Sequence, residues 1–221
     1  MFDLTLSFDN GPEPAVTPLV LDLLGERGIK STFFVIGEKL GDPLRRRLAH
    51  RARDEGHWIG NHTFTHSVPL GRQHDAHSAE REIGRTQAAL GDLAHPDRWF
   101  RPFGGGGNLD EGLLKPSVVD YLTRNHFSCV LWNSIPHDWD DPDGWVERAL
   151  AQCRAQPWSL MVLHDLPTGA MDRLEHFLAR ADAVGARIRQ DFPSACVPIR
   201  NGEIVLPIHP YVSSIEESVS P

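Results

Sequence analysis

Segments typical of β-strands alternate with segments typical of α-helices along almost the whole chain. Short apolar runs indicate buried strands at residues 4–8, 32–36, 58–62, 99–101, 128–132 and 159–163. Apolar residues at helical spacing predict helices at residues 15–27, 43–55, 78–90, 113–125, 144–155 and 171–185. Such alternation favours parallel strands joined by crossover helices. Because no glycine-rich dinucleotide fingerprint is present, we expect an α/β fold, a distorted (β/α) barrel of about seven parallel strands.

The length and charge of the chain limit the number of domains and the kind of partner. Its 221 residues suit one barrel domain over residues 1–206, followed by a polar C-terminal tail over residues 207–221. A net charge of -8 and a pI near 5.8 argue against nucleic acid or an anionic membrane as the main partner. We therefore expect a neutral or cationic partner.

Three cysteines bear on the cellular compartment. Cys129, Cys153 and Cys196 are odd in number, far apart and without a closely spaced pair, which fits reduced thiols better than a disulfide framework. The N-terminal residues begin directly with a strand pattern and lack the basic and apolar regions of a signal peptide. No apolar stretch is long enough to predict a membrane span. These features predict a cytoplasmic protein.

Reactive side chains stand where the predicted strands end. Asp9, His62, Arg101, Asp138 and His164 each lie at or just beyond the C-terminal end of such a strand. In a parallel barrel these ends share one face, and that face carries the active site. We therefore expect the five side chains to converge.

Each local motif has a functional and a structural interpretation. His62 and His66 are four residues apart, so on a helical turn they could share one cation, or they could be surface or cap histidines. Residues 7–12 could carry site residues or form a plain strand-to-helix turn. The glycines of residues 104–107 predict either a loop whose backbone approaches a ligand or a flexible linker. His164–Asp165 could supply an acid or base, or cap a strand.

The motifs gain weight when they are taken together and in order, because they resemble those of the polysaccharide deacetylases. These are the NodB-like carbohydrate esterases, and the resemblance covers nearly the whole chain. The matching segments are Ser7-Phe8-Asp9-Asn10-Gly11-Pro12, His62-Thr63-Phe64-Thr65-His66, Arg101-Pro102-Phe103-Gly104, Asp138-Trp139 and Val162-Leu163-His164. The first of these motifs has a second aspartate in the family, at the position where this chain has Asn10.

The resemblance implies a reaction and catalytic roles. Members of this family hydrolyse the N-acetyl amide of an amino sugar or oligosaccharide. Asp9 would be the general base, Arg101 would orient Asp9, and His164 would be the general acid that protonates the departing amine. Such a pair needs its pKa values pushed apart, which a neighbouring arginine and an opposing histidine can provide.

The resemblance also implies a cofactor and a substrate pocket. His62, His66 and Asn10 would hold a divalent metal ion, with zinc as the expected ion. Such an ion polarises a carbonyl group and stabilises the oxyanion that forms from it. The substrate-binding residues would be Phe103, Trp139 and Val162, with a backbone N–H near Phe103 facing the oxyanion and the other two lining a pocket for the acetyl methyl group.

Three departures from the family pattern concern the chemistry. Asn10 replaces a carboxylate ligand with an amide oxygen that brings no charge, which predicts weaker metal binding. Ile135 aligns with the aspartate that supports the catalytic histidine, so Asp138 or Asp165 would have to take over that role. The motif that begins at Arg101 is one residue short.

Two alternatives to a metal-assisted deacetylase follow from these departures. One keeps the fold but hydrolyses a C–N bond without metal, as relatives resembling the ureide-cleaving allantoinases do. The other is a catalytically silent relative that only binds carbohydrate. The presence of Asp9, Arg101 and His164 argues against the silent relative, because a binding protein needs no acid–base pair.

Overall fold

The computed structural model describes residues 1–214 and contains one continuous sheet. The strands β1–β9 are Phe2–Asp9, Thr32–Val35, Trp58–Asn61, Trp99–Phe100, Ser128–Cys129, Trp158–His164, Ala186–Arg189, Ile199–Arg200 and Glu203–Ile204. The helices α1–α6 are Thr17–Glu26, Pro43–Asp54, Arg85–Leu90, Pro116–Arg124, Trp145–Arg154 and Leu174–Ala183. A π-helical turn, Glu80–Gly84, leads directly into α3.

The first seven strands are parallel and form a distorted barrel. Their order is β6-β1-β2-β3-β4-β5, and β7 pairs with the first half of β1 while β2 pairs with its second half. The backbone N–H groups of Asn133 and Ser134 bond to Leu160 of β6, which brings the chain after β5 back to the first strand in the order. The predicted fold class, a distorted (β/α) barrel of about seven parallel strands, is thereby confirmed.

The alternation of side chains along β1 separates the helical layer from the barrel interior. Leu4, Leu6 and Phe8 are fully buried in the main core cluster together with residues of α1, α5 and α6. Ser7 and Asp9 belong to the other set, because successive residues of a strand point to opposite faces. Both are buried, and both bond to the same guanidinium inside the barrel. The outer residues of β1 therefore stabilise the fold, and its inner residues carry polar groups towards the site.

A hairpin that the sequence prediction missed follows the barrel strands. β8 pairs antiparallel with β5 and with β9, and the two residues between β8 and β9 are Asn201 and Gly202. Both have left-handed backbone, with φ of 49° and 84°. Asn-Gly with two positive φ values is the preferred two-residue hairpin connection. Each strand is only two residues long, which is too short for a pattern of apolar alternation to reveal.

The end of the described chain lies against the barrel. Residues His209–Tyr211 form a short 3-10 turn, and Leu114 bonds to Tyr211 and Ser213 through its backbone. The domain boundary after residue 206 stays a prediction, and residues 215–221 of the predicted tail lie outside the described residues. No helix within residues 1–214 is long and apolar enough to cross a membrane. The three cysteines are buried and unpaired.

Candidate active site

Asp9 and Arg101 form a buried ion pair at the centre of the barrel. Asp9 is the last residue of β1, and Arg101 directly follows β4. The Arg101 Nη1 donates to Asp9 Oδ1 over 2.8 Å and to Ser7 Oγ over 2.7 Å. The guanidinium also lies 4.1 Å from the centroid of the Phe34 ring. Burial lowers the pKa of Arg101, and the charge of Asp9 opposes that shift. Each partner therefore needs the other, since an unpaired buried charge is strongly destabilising.

His164 and Asp138 form a second pair beside the first. The register of β1 and β6 sets Asp9 opposite His164 at the ends of two adjacent strands. His164 Nδ1 lies 2.9 Å from Asp138 Oδ1, and because a carboxylate can only accept, this nitrogen carries a proton. The backbone N–H of His164 donates to the other Asp138 oxygen, also over 2.9 Å. Two bonds to one carboxylate fix the ring and leave its Nε2 for another partner.

The pKa of His164 results from opposing effects. Desolvation disfavours the imidazolium, but the hydrogen bond to Asp138 and the charges of Asp138, Asp9 and Asp165 outweigh it, so the pKa is raised above 6.5. Asp165, the other carboxylate considered as a support for His164, accepts from the Thr17 hydroxyl. Burial raises the pKa of Asp165 to about 7. Of the two carboxylates, Asp138 is the one that bonds to the His164 ring.

His62 and His66 lie in a loop, so the helical turn expected from their spacing is wrong. His62 directly follows β3, and the backbone is left-handed at Thr63 (φ 65°) and at His66 (φ 51°). The two imidazole rings are nevertheless neighbours, with centroids 4.7 Å apart. Left-handed backbone at residues other than glycine is strained, and such strain clusters at functional sites.

Both imidazoles of this loop are neutral near pH 7. His62 Nδ1 lies 2.9 Å from the Arg101 carbonyl oxygen, which can only accept, so Nδ1 carries the proton and Nε2 keeps its lone pair. That Nε2 is 3.5 Å from Asp9 Oδ2. Burial lowers the pKa of His62 and of His66, to about 3 in each case. Neutral imidazoles held side by side can donate lone pairs to a cation.

Asn10 adds a third neutral donor to this corner of the site. Its φ of 74° is left-handed, a conformation that asparagine tolerates better than most residues. Its Oδ1 is buried and has no hydrogen-bond partner in the described part of the chain. Buried acceptors are rarely left without a partner, so this one is suited to an ion, a water molecule or a substrate group. Within residues 1–214 no three His, Cys, Asp or Glu side chains are grouped to hold a metal ion. Asn10 lines the same cavity as His62 and His66, so its Oδ1 is an additional neutral oxygen beside the two imidazoles.

One cavity of about 240 Å³ brings the predicted site residues together. The predicted residues that line it are Asp9, Asn10, His62, His66, Phe103, Trp139, Val162 and His164. The ninth, Arg101, is fully buried and does not line the cavity, but its guanidinium bonds to Asp9, which does. Trp139 packs edge-on against the His164 ring, with centroids 4.8 Å apart, and Phe103 packs against His66 at 3.9 Å. The predicted set is therefore one spatial cluster.

The glycine run forms part of the cavity wall. The Trp132 indole N–H donates to the Gly107 carbonyl over 3.1 Å and ties the run to the barrel. Gly107 has a φ of 77°, and a Cβ there would come within 2.5 Å of Ile135. Only glycine fits both conditions. Ile135, which stands where the resemblance aligned an aspartate, contributes apolar surface to the same cavity.

Three residues of the site were missed by sequence reasoning. Trp132 and Leu166 line the cavity, but Trp132 ends an apolar run that indicates a core strand, and Leu166 is a single apolar residue between Asp165 and Pro167. Ser7 bonds to Arg101 and also donates to the Met161 carbonyl. A signal for Ser7 did exist, because it precedes Asp9 by two residues and so points to the same face of β1.

Comparisons with known proteins identify relatives of this chain. Residues 3–113 match the family described as polysaccharide deacetylase. A chitooligosaccharide deacetylase from Sinorhizobium fredii is 34% identical over 164 residues, which cover 72% of this chain and 70% of the relative. A solved peptidoglycan N-acetylglucosamine deacetylase is 27% identical, with a TM-score of 0.71 and coverage of 85% of each chain. A CE4 family pseudoenzyme from Bacillus anthracis, at 19% identity, shares the fold with a TM-score of 0.70 over 84% of this chain and 62% of that chain.

Proposed function

This chain belongs to the polysaccharide deacetylase family, and from that membership we propose that it removes acetyl groups from short N-acetylglucosamine oligosaccharides. It is a hydrolase that acts on the carbon–nitrogen bond of N-acetylated carbohydrates. One observation carries the roles proposed below. Asp9 and His164 stand in register on adjacent strands beside one cavity, and each has a partner of opposite charge. Amide hydrolysis needs a base and an acid whose protonation is set separately.

Asp9 is the general base of the proposed reaction. Arg101 occupies Asp9 Oδ1, which leaves Oδ2 to accept a proton from the attacking water molecule. The water oxygen adds to the acetyl carbonyl carbon, and the carbonyl becomes a tetrahedral oxyanion. Meanwhile the guanidinium balances the carboxylate charge in the buried site. A positioned base of this kind contributes about 10²–10⁴-fold to a rate.

His164 is the general acid that completes the reaction. Its raised pKa keeps more of the ring protonated near neutral pH. Asp138 holds Nδ1, so Nε2 is the atom that donates a proton to the amine nitrogen as the carbon–nitrogen bond breaks. Acetate and the free amine of the sugar then leave. Trp139 and Val162 would line the space for the acetyl methyl group, and Phe103 the side of the cavity next to His66.

A divalent metal ion fits the neutral corner of the site. Polysaccharide deacetylases generally depend on such an ion. His62 Nε2, a nitrogen of His66 and the orphaned Oδ1 of Asn10 would hold it. When bound, it would polarise the acetyl carbonyl and stabilise the oxyanion. Two imidazole ligands favour zinc over calcium or magnesium, and the lack of an anionic ligand implies moderate affinity.

Removal of the metal tests this proposal. We expect dialysis against a chelator to abolish acetate release from short N-acetylglucosamine oligosaccharides, and added zinc to restore it. The His66→Ala variant should lose the response to zinc, while His50→Ala, which changes a histidine of α2 far from the cavity, should keep it. Full activity of protein shown by elemental analysis to be metal-free would contradict the metal ligands but not the acid–base pair.

The composition of the ligand set favours a second candidate function. No described trio of His, Cys, Asp and Glu forms a metal site, and Asn10 contributes no charge. A hydrolase that cleaves the C–N bond with Asp9 and His164 alone is therefore the alternative. Metal content measured on the active protein separates the two, because one equivalent of zinc that is lost on His62→Ala substitution excludes the metal-free reaction.

The partner and the compartment belong to the same proposal. We place the enzyme on a soluble saccharide in the cytoplasm, without nucleic acid or membrane as a partner. Three buried free thiols and an acidic surface charge support this assignment. Fractionation of cells that express the natural gene tests it, and recovery of the protein outside the cytoplasmic fraction would contradict it.

A further inference from the structure

The histidine loop, defined here as residues 62–66, is held by several hydrogen bonds of its backbone to other parts of the chain. The N–H groups of Gly37 and Glu38 donate to the carbonyls of Thr63 and Phe64, over 2.9 and 3.0 Å. The Thr63 N–H donates to Asn61 Oδ1 over 3.1 Å. Such bonds keep a strained backbone in place, because strained conformations persist only where the surroundings over-determine them.

A single carboxylate accepts hydrogen bonds from two successive residues of the loop. Glu82 Oε2 accepts from the N–H groups of Phe64 and Thr65, over 3.0 and 2.9 Å. The Thr65 hydroxyl donates to the same carboxylate over 3.0 Å. Glu82 is only 3% exposed, and Arg81 lies 3.6 Å from its other oxygen. Hydrogen bonds from backbone N–H to a charged acceptor are about twice as strong as neutral ones.

The π-helical turn explains how Glu82 reaches the loop. Glu82 and Ile83 lie within the turn Glu80–Gly84, where the backbone is wider than in an α-helix. The Ile83 carbonyl accepts from Asn61 Nδ2 over 2.9 Å, so the turn also holds the residue before the loop. π-turns of this kind are frequent at functional sites. The turn therefore forms hydrogen bonds to the chain both before and after His62.

The side of the loop that faces residues 37–38 is closely packed. A Cβ at Gly37 would come within 2.5 Å of the Thr86 hydroxyl and 2.8 Å of the Phe64 ring. The Arg85 guanidinium covers the other part of the Phe64 ring, 3.7 Å from its centroid. The loop thus lies between residues 37–38, which donate backbone N–H groups to it, and the π-turn, which contributes the Glu82 carboxylate.

We propose that Glu82 is a positioning residue that holds the histidine loop in the conformation that sets His66 beside His62. The significance of this conformation for metal binding rests on the proposed function. Without the carboxylate, the N–H groups of Phe64 and Thr65 lose their acceptor, and the strained backbone at His66 relaxes. His62 keeps its place, because its ring bonds to the Arg101 carbonyl and its N–H to the Val35 carbonyl.

Amide hydrogen exchange tests the loop without any metal. In Glu82→Ala we expect the amides of Phe64 and Thr65 to exchange at least about tenfold faster, while those of β1 and β6 stay protected. Glu82→Gln should be intermediate, because the amide oxygen can still accept although it carries no charge. Glu82→Asp should resemble Glu82→Ala, because it keeps the charge but is one methylene shorter. Exchange rates at these two amides equal to those of the parent in Glu82→Ala would overturn the proposal.

Zinc affinity, measured by competition with a chromophoric chelator, tests the consequence for the metal. Loss of a residue that orients ligands weakens metal binding by about 10–100-fold, and we expect Glu82→Ala to fall in that range. Glu80→Ala is the matched control, because Glu80 lies on the same turn but bonds to Tyr121 outside the loop. It should bind zinc like the parent.

The two measurements separate the two proposals. A parent protein that binds no zinc would end the metal assignment, while hydrogen exchange would still decide the role of Glu82. Faster exchange together with unchanged zinc affinity would overturn the positioning of His66. If Glu82→Ala does not fold, Glu82→Gln and Glu82→Asp replace it. Stronger loop protection and tighter zinc binding in Glu82→Gln than in Glu82→Asp would support the proposal. Values equal to those of the parent in both variants would overturn it.

Discussion

The site consists of two halves that hold their reactive groups by different physical means. In the acid–base half, Asp9 is paired with Arg101 and His164 with Asp138, so each group has a partner of opposite charge. The half formed by His62, His66 and Asn10 has no charge of its own. Its donors are fixed by burial, by left-handed backbone and by the hydrogen bonds of the histidine loop.

This difference predicts how substitutions in each half affect stability, rate and metal affinity. Removing one member of a buried ion pair leaves an uncompensated charge, so the acid–base half should fail in stability as well as in rate. Neutral donors leave no such charge behind when they are changed. The second half should therefore respond mainly in metal affinity, and substitutions in the two halves should differ in kind as well as in size.

The largest effect is expected from Asp9→Asn. The rate should fall by at least about 10³-fold because the base is lost. The free energy of unfolding should fall by about 3–5 kcal/mol because the Arg101 charge is left without a counter-charge. Acetate release and denaturant unfolding measure the two quantities. Asp22→Asn removes an exposed partner of Arg51 and is the matched control, with a loss of at most about 1 kcal/mol. Equal losses of stability in the two variants would break the comparison.

Asp138→Asn should have the next largest effect, about 10²-fold on kcat, with a shift in the pH profile. The pKa of His164 is raised, and His164 acts in its protonated form, so the rate falls as the pH rises through that pKa. Without the Asp138 carboxylate, desolvation dominates and lowers the pKa. The alkaline limb of the kcat profile should therefore move to lower pH.

Asp165→Asn provides the control for that shift. Asp165 raises the pKa of His164 by its charge but makes no hydrogen bond to the ring, so the limb should move in the same direction by a smaller amount. A shift as large as that of Asp138→Asn would mean that the nearby negative charge alone, and not the hydrogen bond to Nδ1, raises the pKa of His164.

The sequence was sufficient for the parts of the site that depend on strand ends. Asp9, Arg101 and His164 follow apolar strands, and parallel topology brings such ends to one face whatever the loops do. The choice between Asp138 and Asp165 was open in the sequence. It depends on how the chain after Ser134 crosses the barrel end, which local spacing does not encode.

The histidine loop shows where sequence reasoning stopped. A spacing of four residues fits a helical turn, yet left-handed backbone at Thr63 and His66 brings the same two rings together in a loop. The cause lies elsewhere in the chain, in the carboxylate of Glu82 and the backbone N–H of Gly37. Tertiary hydrogen bonds hold these residues in a loop in place of the helical turn that their spacing suggests. No pattern in the sequence distinguishes Glu82 from other helical glutamates.

Asn10→Asp should have the smallest effect on the fold and would sharpen the comparison most, because it adds a charge to the neutral half. Zinc affinity should rise by about 10–100-fold, since the third ligand becomes anionic. Without metal, the new carboxylate shares one cavity with the Asp9 carboxylate, and two like charges in one buried site destabilise the folded state. Thermal unfolding with and without zinc measures both effects.

The control for position 10 is Asn201→Asp, because Asn201 also precedes a glycine and also has left-handed backbone (φ 49°), but lies in the exposed β8–β9 hairpin. Peptide mapping of the parent protein should show unmodified asparagine at residue 10, because deamidation there would itself create the aspartate of the variant. If Asn10→Asp alone melts lower without zinc and higher with it, the metal dependence of this site is governed by one charge, since tenfold tighter binding adds about 1.4 kcal/mol of stability at saturating zinc. Equal responses in the two variants would mean that Asn10 is no ligand of the metal.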